Sequence, residues 1–377
     1  MSAFLPVCEP LLEGNELRYV SEAVASGWIS SAGKYVDAFE REFASWCGAR
    51  HGIAVCNGTV ALHLALTALG IGKGDEVILP DFTMIASALA VCYTGAVPVF
   101  ADADAATWNV SPAAVAAKIT PRTRAVMAVH IFGNPCDMEA LQQLCDAHGI
   151  ILMEDAAEAH GATLRGRRAG ALSRIAAFSF FANKNVCCGE GGMVVTNDDD
   201  LARACRYRKN LCFPLDAPRT YLHADIGFNY RMSNLHAAIG LAQTERADAL
   251  TAKRRAHGRL YRQRLAAIPG ILLQQEQPDS EGVFWMNGLA LTAEYGHSRA
   301  ELMAHLKTCG VDTRLFFQGM HRQPALRDYG CDCTGAYPVS DMLADNGFYL
   351  PSVSGLTEAD INRVCDIIAA FREQDRM

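Results

Sequence analysis

From about residue 50 to residue 200, short apolar runs alternate with stretches of helical periodicity. HGIAVC (51–56) precedes an apolar helix, GTVALHLALTAL (58–69), and GDEVILP (74–80) reads as a strand. TMIASALAVCYTG (83–95) reads as a buried helix and AVPVFAD (96–102) as a strand. SPAAVAAKI (111–119) is a helix with Ser111 as N-cap and Pro112 in the first turn. RAVMAVHIFG (124–133) is a strand, MEALQQLCDAHG (138–149) a helix ending at Gly149, and IILMEDAA (150–157) a strand. Strands separated by single helices predict a mainly parallel sheet covered on both faces. Ligands of such sheets collect beyond the carboxyl ends of the strands, where candidate site residues are therefore sought.

The pattern then changes. AAFSFFANK (176–184) and GGMVVTND (191–198) read as two strands around a Gly-rich turn, followed by a helix at 200–209. A long helical stretch, 233–268, leads out of this unit. Beyond about residue 270 the pattern is α+β: a strand near 283–291, a helix at 298–310, a strand at 311–317 and a closing helix at 357–374. The chain thus reads as an α/β protein with a large mainly parallel-sheet domain over 12–250 and a smaller C-terminal α+β domain over 251–377, on which residues 1–11 are expected to pack.

Composition narrows the function. A formal charge of −7 disfavours a general nucleic-acid partner but leaves room for a locally basic pocket that takes an anionic small molecule. No apolar run reaches membrane-spanning length, and the first residues lack a basic segment followed by a long apolar one, so a soluble cytoplasmic enzyme is expected. The fourteen cysteines, among them Cys92, Cys145, Cys205 and Cys365 in apolar or helical contexts, read as reduced thiols. Cys331 and Cys333, and the Cys187–Cys188 pair, lack the partner spacing of a zinc site, so no metal is expected.

Four segments carry candidate chemistry. Asn57-Gly58-Thr59 lies between a strand and a helix, where free N–H groups suit a phosphate, although Gly-Thr also reads as an ordinary helix cap. Asp155 ends the apolar strand of ILMEDAAEAH, where a carboxylate pairs with a protonated pyridine nitrogen or simply caps a helix. Lys184, in SFFANKNVCCGEGG, is either a solvated turn residue or an amine with a lowered pKa poised to form an imine. Gly227–Asn234, GFNYRMSN, reads as a loop and cap, or as a polar arm reaching an active site, a neighbour's included.

Their order and spacing, with SGWISSAGKYVDAFEREFA, NGTVALHLAL, EDAAEAHGA, GFNYRMSNLHAAIGLAQ and GMHRQPAL, resemble the sugar aminotransferases of the DegT/StrS type over essentially the whole chain. The resemblance implies the aspartate-aminotransferase-like architecture (PLP fold type I), pyridoxal 5'-phosphate as cofactor and a homodimer with shared active sites. It implies that Lys184 holds the cofactor as a Schiff base, that Asp155 pairs with its ring nitrogen, and that Glu158 stands beside the ring hydroxyl, where many relatives have Gln. Gly58, Thr59 and Ser179 would hold the phosphate with Asn229 of the partner subunit. Met84 stands where many relatives stack an aromatic residue on the ring.

By the same resemblance the amino donor is L-glutamate and the acceptor a nucleotide-linked 4-keto-6-deoxy sugar, the GDP-mannose series first and dTDP- or UDP-linked sugars next, with a 3-keto sugar or a cyclitol ketone as the alternative that other relatives aminate. Ser30, His160, Arg231 and His321 are the candidate substrate contacts. Each also reads as a loop, core or surface residue. Trp285 and Phe317 are candidates for a wall against the base. Relatives that dehydrate the sugar carry histidine in place of the lysine, so Lys184 favours transamination. Related aminotransferase-like regulators carry an added DNA-binding segment, and here the aminotransferase pattern begins by about residue 12.

Overall fold

The computed structural model describes residues 4–374. Seven strands form the large sheet, in the order His51–Val55, Gly192–Thr196, Ile175–Ser179, Ile151–Asp155, Thr123–Val129, Glu76–Pro80, Val97–Ala101. Every neighbouring pair is parallel except those made by Gly192–Thr196, which runs antiparallel to both its neighbours. Glu76–Pro80 and Gly192–Thr196 are buried along their whole length, which is why they read as continuous apolar runs. On one face Gly58–Ala68 and Ala86–Tyr93 contribute Leu62, Leu64, Leu66 and Val91 to the core. On the other, Lys34–Cys47 and Asn234–Thr244 contribute Phe39, Phe43 and Leu241. A second sheet, Ile271–Leu272, Asn287–Leu291, Gly347–Leu350 and Arg314–Leu315, is antiparallel. The helices Ala247–Leu265, Arg299–Thr308 and Glu358–Arg372 pack in its cluster, where Leu5, bridged to Val311, joins them.

Three elements differ from the expectation drawn from periodicity. The helix expected from residue 83 starts at Ala86, because the chain first turns through Thr83 and Met84, whose Sδ accepts from the Ala86 N–H. The stretch 233–268 is two helices, Asn234–Thr244 and Ala247–Leu265. The break falls at Glu245–Arg246, where the Glu245 carboxylate accepts from Asn15 Nδ2 and the Tyr19 hydroxyl at 2.7 and 2.6 Å. The strand expected over 283–291 is confined to Asn287–Leu291. Residues 283–285 instead follow the turn at Phe132–Gly133, with Val283 N–H on the Gly133 carbonyl and Trp285 N–H on the Phe132 carbonyl. Helices Glu16–Ser26 and Lys34–Cys47 precede the alternating pattern; the second buries Tyr35, Val36, Phe39, Phe43 and Cys47 at helical spacing.

Behind the sheet's carboxyl end lies a fully buried acid. Glu154 accepts from the N–H groups of Gly170, Leu172 and Ser173 at 2.7–3.0 Å, from the Ser173 hydroxyl at 3.0 Å, and from His130 Nε2 at 3.1 Å. Cys136 N–H donates to His130 Nδ1, so the imidazole carries its proton on Nε2 and points it at Glu154. The hydrogen bonds hold the carboxyl below its usual range despite burial, which opposes them. Glu154→Ala strands these donors in the core, and we predict a loss of about 3–5 kcal/mol in chemical denaturation. A loss under about 1 kcal/mol would show that the network relaxes onto other acceptors.

Candidate active site

The residues sought at the strand ends lie there. Asp155 and Ser179 are the last residues of their strands, Asn57–Thr59 follow His51–Val55, and Asp81–Met84 follow Glu76–Pro80. Lys184 follows Ile175–Ser179 in a turn closed by its own N–H on the Phe181 carbonyl.

Three charges meet in this space. Burial lowers the Lys184 pKa, and the charges of Glu158 and Asp155 act against that shift. Its Nζ lies 3.8 Å from the centroid of the Trp285 ring, whose indole N–H is fixed on the Asn183 carbonyl at 2.9 Å. A cation over an indole face is stabilised there without being neutralised. Asp155 is buried and accepts from the Ser87 hydroxyl at 2.7 Å and from the Ala157 N–H at 3.1 Å. Burial raises its pKa, and Ser87, Ala157 and Lys184 oppose the rise. Glu158 accepts from the Phe132 N–H at 2.7 Å; burial pushes its carboxyl up to about 7, with Lys184 opposing and Asp155 reinforcing. Phe132 donates from a left-handed conformation (φ 55°), an expensive backbone state of the kind found at functional sites.

The start of the helix Gly58–Ala68 offers donors suited to an anion. Asn57 caps the helix Gly58–Ala68 by accepting from Val60 N–H through Oδ1, and Ala61 N–H is taken by the Asn57 carbonyl. The N–H groups of Gly58 and Thr59 are left without a partner among the described residues, at the positive end of the helix. A Cβ at Gly58 would lie 2.6 Å from that of Ser179, so only glycine lets the helix start come this close to the strand end. Two free N–H groups beside a hydroxyl suit an anion's oxygens. With the Lys184 amine and the Asp155 carboxylate, these donors are the groups that an aromatic heterocycle bearing an aldehyde, a basic nitrogen and a phosphate would need. Met84, 47 % exposed, stands at the rim, three residues before the Ser87 that bonds Asp155.

The other candidates are placed differently. His160 is fully buried among Phe43, Phe178 and Phe180, and neither ring nitrogen has a partner. Burial, with the Lys184 charge second, lowers its pKa to about 3, so it is a neutral core residue and not the substrate contact the sequence suggested. Trp285 is likewise buried against Lys184 and unavailable as a wall for a base, while Phe317 packs beside Phe82, Phe132 and Tyr349. His321 is held by the buried Asp81, which accepts from its N–H and faces its Nδ1, each at 2.8 Å, with Asp341 3.3 Å from Nε2. Asn229 is exposed and accepts from Arg231 at 2.7 and 3.0 Å; Arg231 also reaches Asn210 and is bridged to Val55 at the sheet edge. Ser30 is exposed, its carbonyl accepting from Asn234 N–H. No hydrogen bond among the described residues joins Ser30, Asn229 or Arg231 to Lys184, Asp155 or Glu158.

Sequence reasoning missed Ser87, Phe132, Asp81 and the buried Tyr349, whose hydroxyl has no partner and whose ring packs against Trp285 and Phe132. Only Ser87, a lone hydroxyl in an apolar helix, carried a visible signal.

The pattern of the DegT/DnrJ/EryC1/StrS aminotransferase family matches residues 10–369. A GDP-perosamine synthase of Vibrio cholerae is 42 % identical over 97 % of this chain and 99 % of its own length. That of Caulobacter vibrioides is 44 % identical over 96 % of each. Among solved structures, DesV of S. venezuelae in complex with a ketimine intermediate superimposes with a TM-score of 0.92, at 36 % identity over 99 % of this chain and all of the other.

Burial raises the Glu158 pKa above its ordinary 4.5 to about 7, so the folded state holds this proton where the unfolded chain has released it. The favourable contribution is complete below about 4.5 and is lost as pH rises to about 7. For the cofactor-free protein we predict that Glu158→Gln gains stability relative to the parent across that window and stays level above it, as read from denaturation midpoints. A difference independent of pH would mean that Glu158 is ionised throughout.

Proposed function

The chain belongs to the DegT/DnrJ/EryC1/StrS aminotransferase family, and we propose that it uses pyridoxal 5'-phosphate to move an amino group from L-glutamate to GDP-4-keto-6-deoxymannose, giving GDP-perosamine. The observation that carries the substrate is the full-length similarity to two GDP-perosamine synthases. The cofactor is supported by a desolvated lysine that interacts with two buried acids, and by a helix start with free N–H groups packed against Ser179 at the end of the strand before that lysine.

In this reading the bound cofactor supplies an electron sink for the carbanion formed at the substrate carbon. Lys184 Nζ would hold the cofactor covalently, and as a free amine would carry the proton to and from the reacting carbon. Desolvation favours its neutral, nucleophilic form, and the Trp285 face and the two carboxylates keep the protonated form accessible. Asp155, oriented by Ser87, holds the proton on the ring nitrogen. Glu158, whose carboxyl burial pushes up to about 7, would stand by the ring hydroxyl. Gly58, Thr59 and Ser179 take the phosphate. Met84 covers one ring face.

A homodimer completes the site. Its support is the exposed apolar surface of the arm before Asn229, where Tyr221, Leu222 and Ile226 stand out, the last 86 % exposed, together with Trp28 and Ile29 beside Ser30. From the partner subunit such an arm would bring its Asn229 to the phosphate and its Arg231 to the substrate's pyrophosphate. Ser30 and His321 are the remaining proposed substrate contacts.

Asp155→Asn is predicted to lower turnover by roughly 10²-fold or more while cofactor content changes little. Near-normal turnover would remove the carboxylate from the chemistry. Asn229→Ala is predicted to weaken cofactor retention and lower activity, and mixing it with Lys184→Ala to restore part of that activity, because half of the exchanged dimers' sites hold both native residues. No recovery, with subunit exchange verified, would put both residues in one chain's site. Kinetics with matched GDP- and dTDP-linked 4-keto-6-deoxy sugars test the substrate: GDP is predicted to be preferred, and a strong dTDP preference would overturn it while leaving the transaminase intact.

A further inference from the structure

One buried amide pins the loop between the first two helices. Helix Glu16–Ser26 ends at Gly27 in the left-handed conformation, and helix Lys34–Cys47 starts after Gly33, which has no side chain to cap it. Asn234, 1 % exposed and the first residue of helix Asn234–Thr244, supplies the cap. Its Oδ1 accepts from the Tyr35 N–H at 3.0 Å, its Nδ2 donates to the Trp28 carbonyl at 2.6 Å, and its own N–H donates to the Ser30 carbonyl at 2.6 Å. A Cβ at Gly33 would lie 2.5 Å from Asn234 Cγ, so the amide fills the turn. Trp28, Ile29 and Ser30 themselves are exposed. Just before Asn234 the chain is tied to the site. Arg231 is bridged to Val55, and the Tyr230 carbonyl accepts from the Cys56 N–H at 2.9 Å, at the strand end that leads into Gly58 and Thr59.

We infer that Asn234 is a positioning residue for the nucleotide sugar: it fixes the backbone from Trp28 to Ser30 as a loop that faces the substrate, in register with the arm at Asn229–Arg231. The inference rests on the reading above, in which Ser30 touches the substrate. A primary amide of this length suits the place, because the Tyr35 N–H needs an acceptor and the Trp28 carbonyl needs a donor. A carboxylate would keep the first bond and set an oxygen against the second. A loop whose backbone bonds are already made loses little freedom when a ligand arrives. No hydrogen bond among the described residues joins this loop to Lys184, Asp155 or Glu158, so the half-reaction with the amino donor is expected to be spared.

The test compares Asn234→Asp with the parent, using whichever nucleotide sugar the parent aminates, GDP- or dTDP-linked. KM for that sugar is expected to rise about tenfold, the scale of one lost hydrogen bond, with kcat little changed. Bleaching of the cofactor's absorbance band by L-glutamate alone is expected to keep the parental rate. Hydrogen exchange on the cofactor-free chain is expected to quicken over residues 28–31 and not around Lys184. Gly33→Ala, which drives the same amide out of the turn, is expected to reproduce the pattern. An unchanged KM in Asn234→Asp, or an equal loss in both half-reactions, would overturn the inference. Ser30→Ala separates it from the reading beneath it. A raised KM in Asn234→Asp alone upholds the positioning role and removes the Ser30 contact, whereas a raised KM in Ser30→Ala alone overturns the positioning role. If neither loop variant folds, exchange in the cofactor-free parent decides: the sugar is expected to slow residues 28–31, and no slowing there would overturn the inference.

Discussion

The burial of one ammonium group governs the architecture. Lys184 loses hydration in the cleft, and the protein returns part of it through the Trp285 face and the charges of Asp155 and Glu158. Each compensation has its own support. Asp155 needs the Ser87 hydroxyl and the Ala157 N–H, and Glu158 needs an N–H that Phe132 offers only from a left-handed backbone. That backbone is held in turn by the chain at 283–285 and by Gly133, where a side chain would collide with Val283 and the Glu158 carbonyl. The lysine therefore ties the ends of three parallel strands to the segment that leads into the second sheet.

The same economy appears one layer deeper. Glu154, beside Asp155 in the strand, points to the opposite face and gathers the loop at 170–173 and His130 around one carboxylate. Two adjacent acids thus serve two ends, one turned to the cleft and the other to the scaffold beneath it. Among the described residues, buried side-chain atoms without a partner include the two nitrogens of His160, the Tyr349 hydroxyl and the side-chain amide oxygens of Asn183 and Asn185 on either side of Lys184, with others elsewhere, such as the Tyr261 hydroxyl and His257 Nδ1.

Much of this was legible in the residues. Alternating apolar runs read correctly as a mainly parallel sheet, because strands buried on both faces cannot hide polar positions. Asp155, Gly58 and Lys184 were legible beside strand ends and Glu158 and Ser179 only through the family resemblance; Asp155 and Ser179 end neighbouring strands of the sheet. Periodicity could not reveal the break at Glu245–Arg246, since that break depends on Asn15 and Tyr19 far away in sequence. Nor could it assign His160 and Trp285, whose roles depend on which aromatic rings fold around them. Ser87 and Phe132 act through one hydroxyl and one backbone N–H, and such groups leave almost no trace in a pattern of side-chain polarity.

The central claim is that the desolvated amine of Lys184, and no other lysine, holds the cofactor. Loading the protein with pyridoxal 5'-phosphate, reducing with borohydride and mapping the peptides tests it directly. The account predicts a single phosphopyridoxyl label on Lys184, absent in Lys184→Ala while that variant remains folded. A label on another lysine, or undiminished labelling of Lys184→Ala, would contradict it.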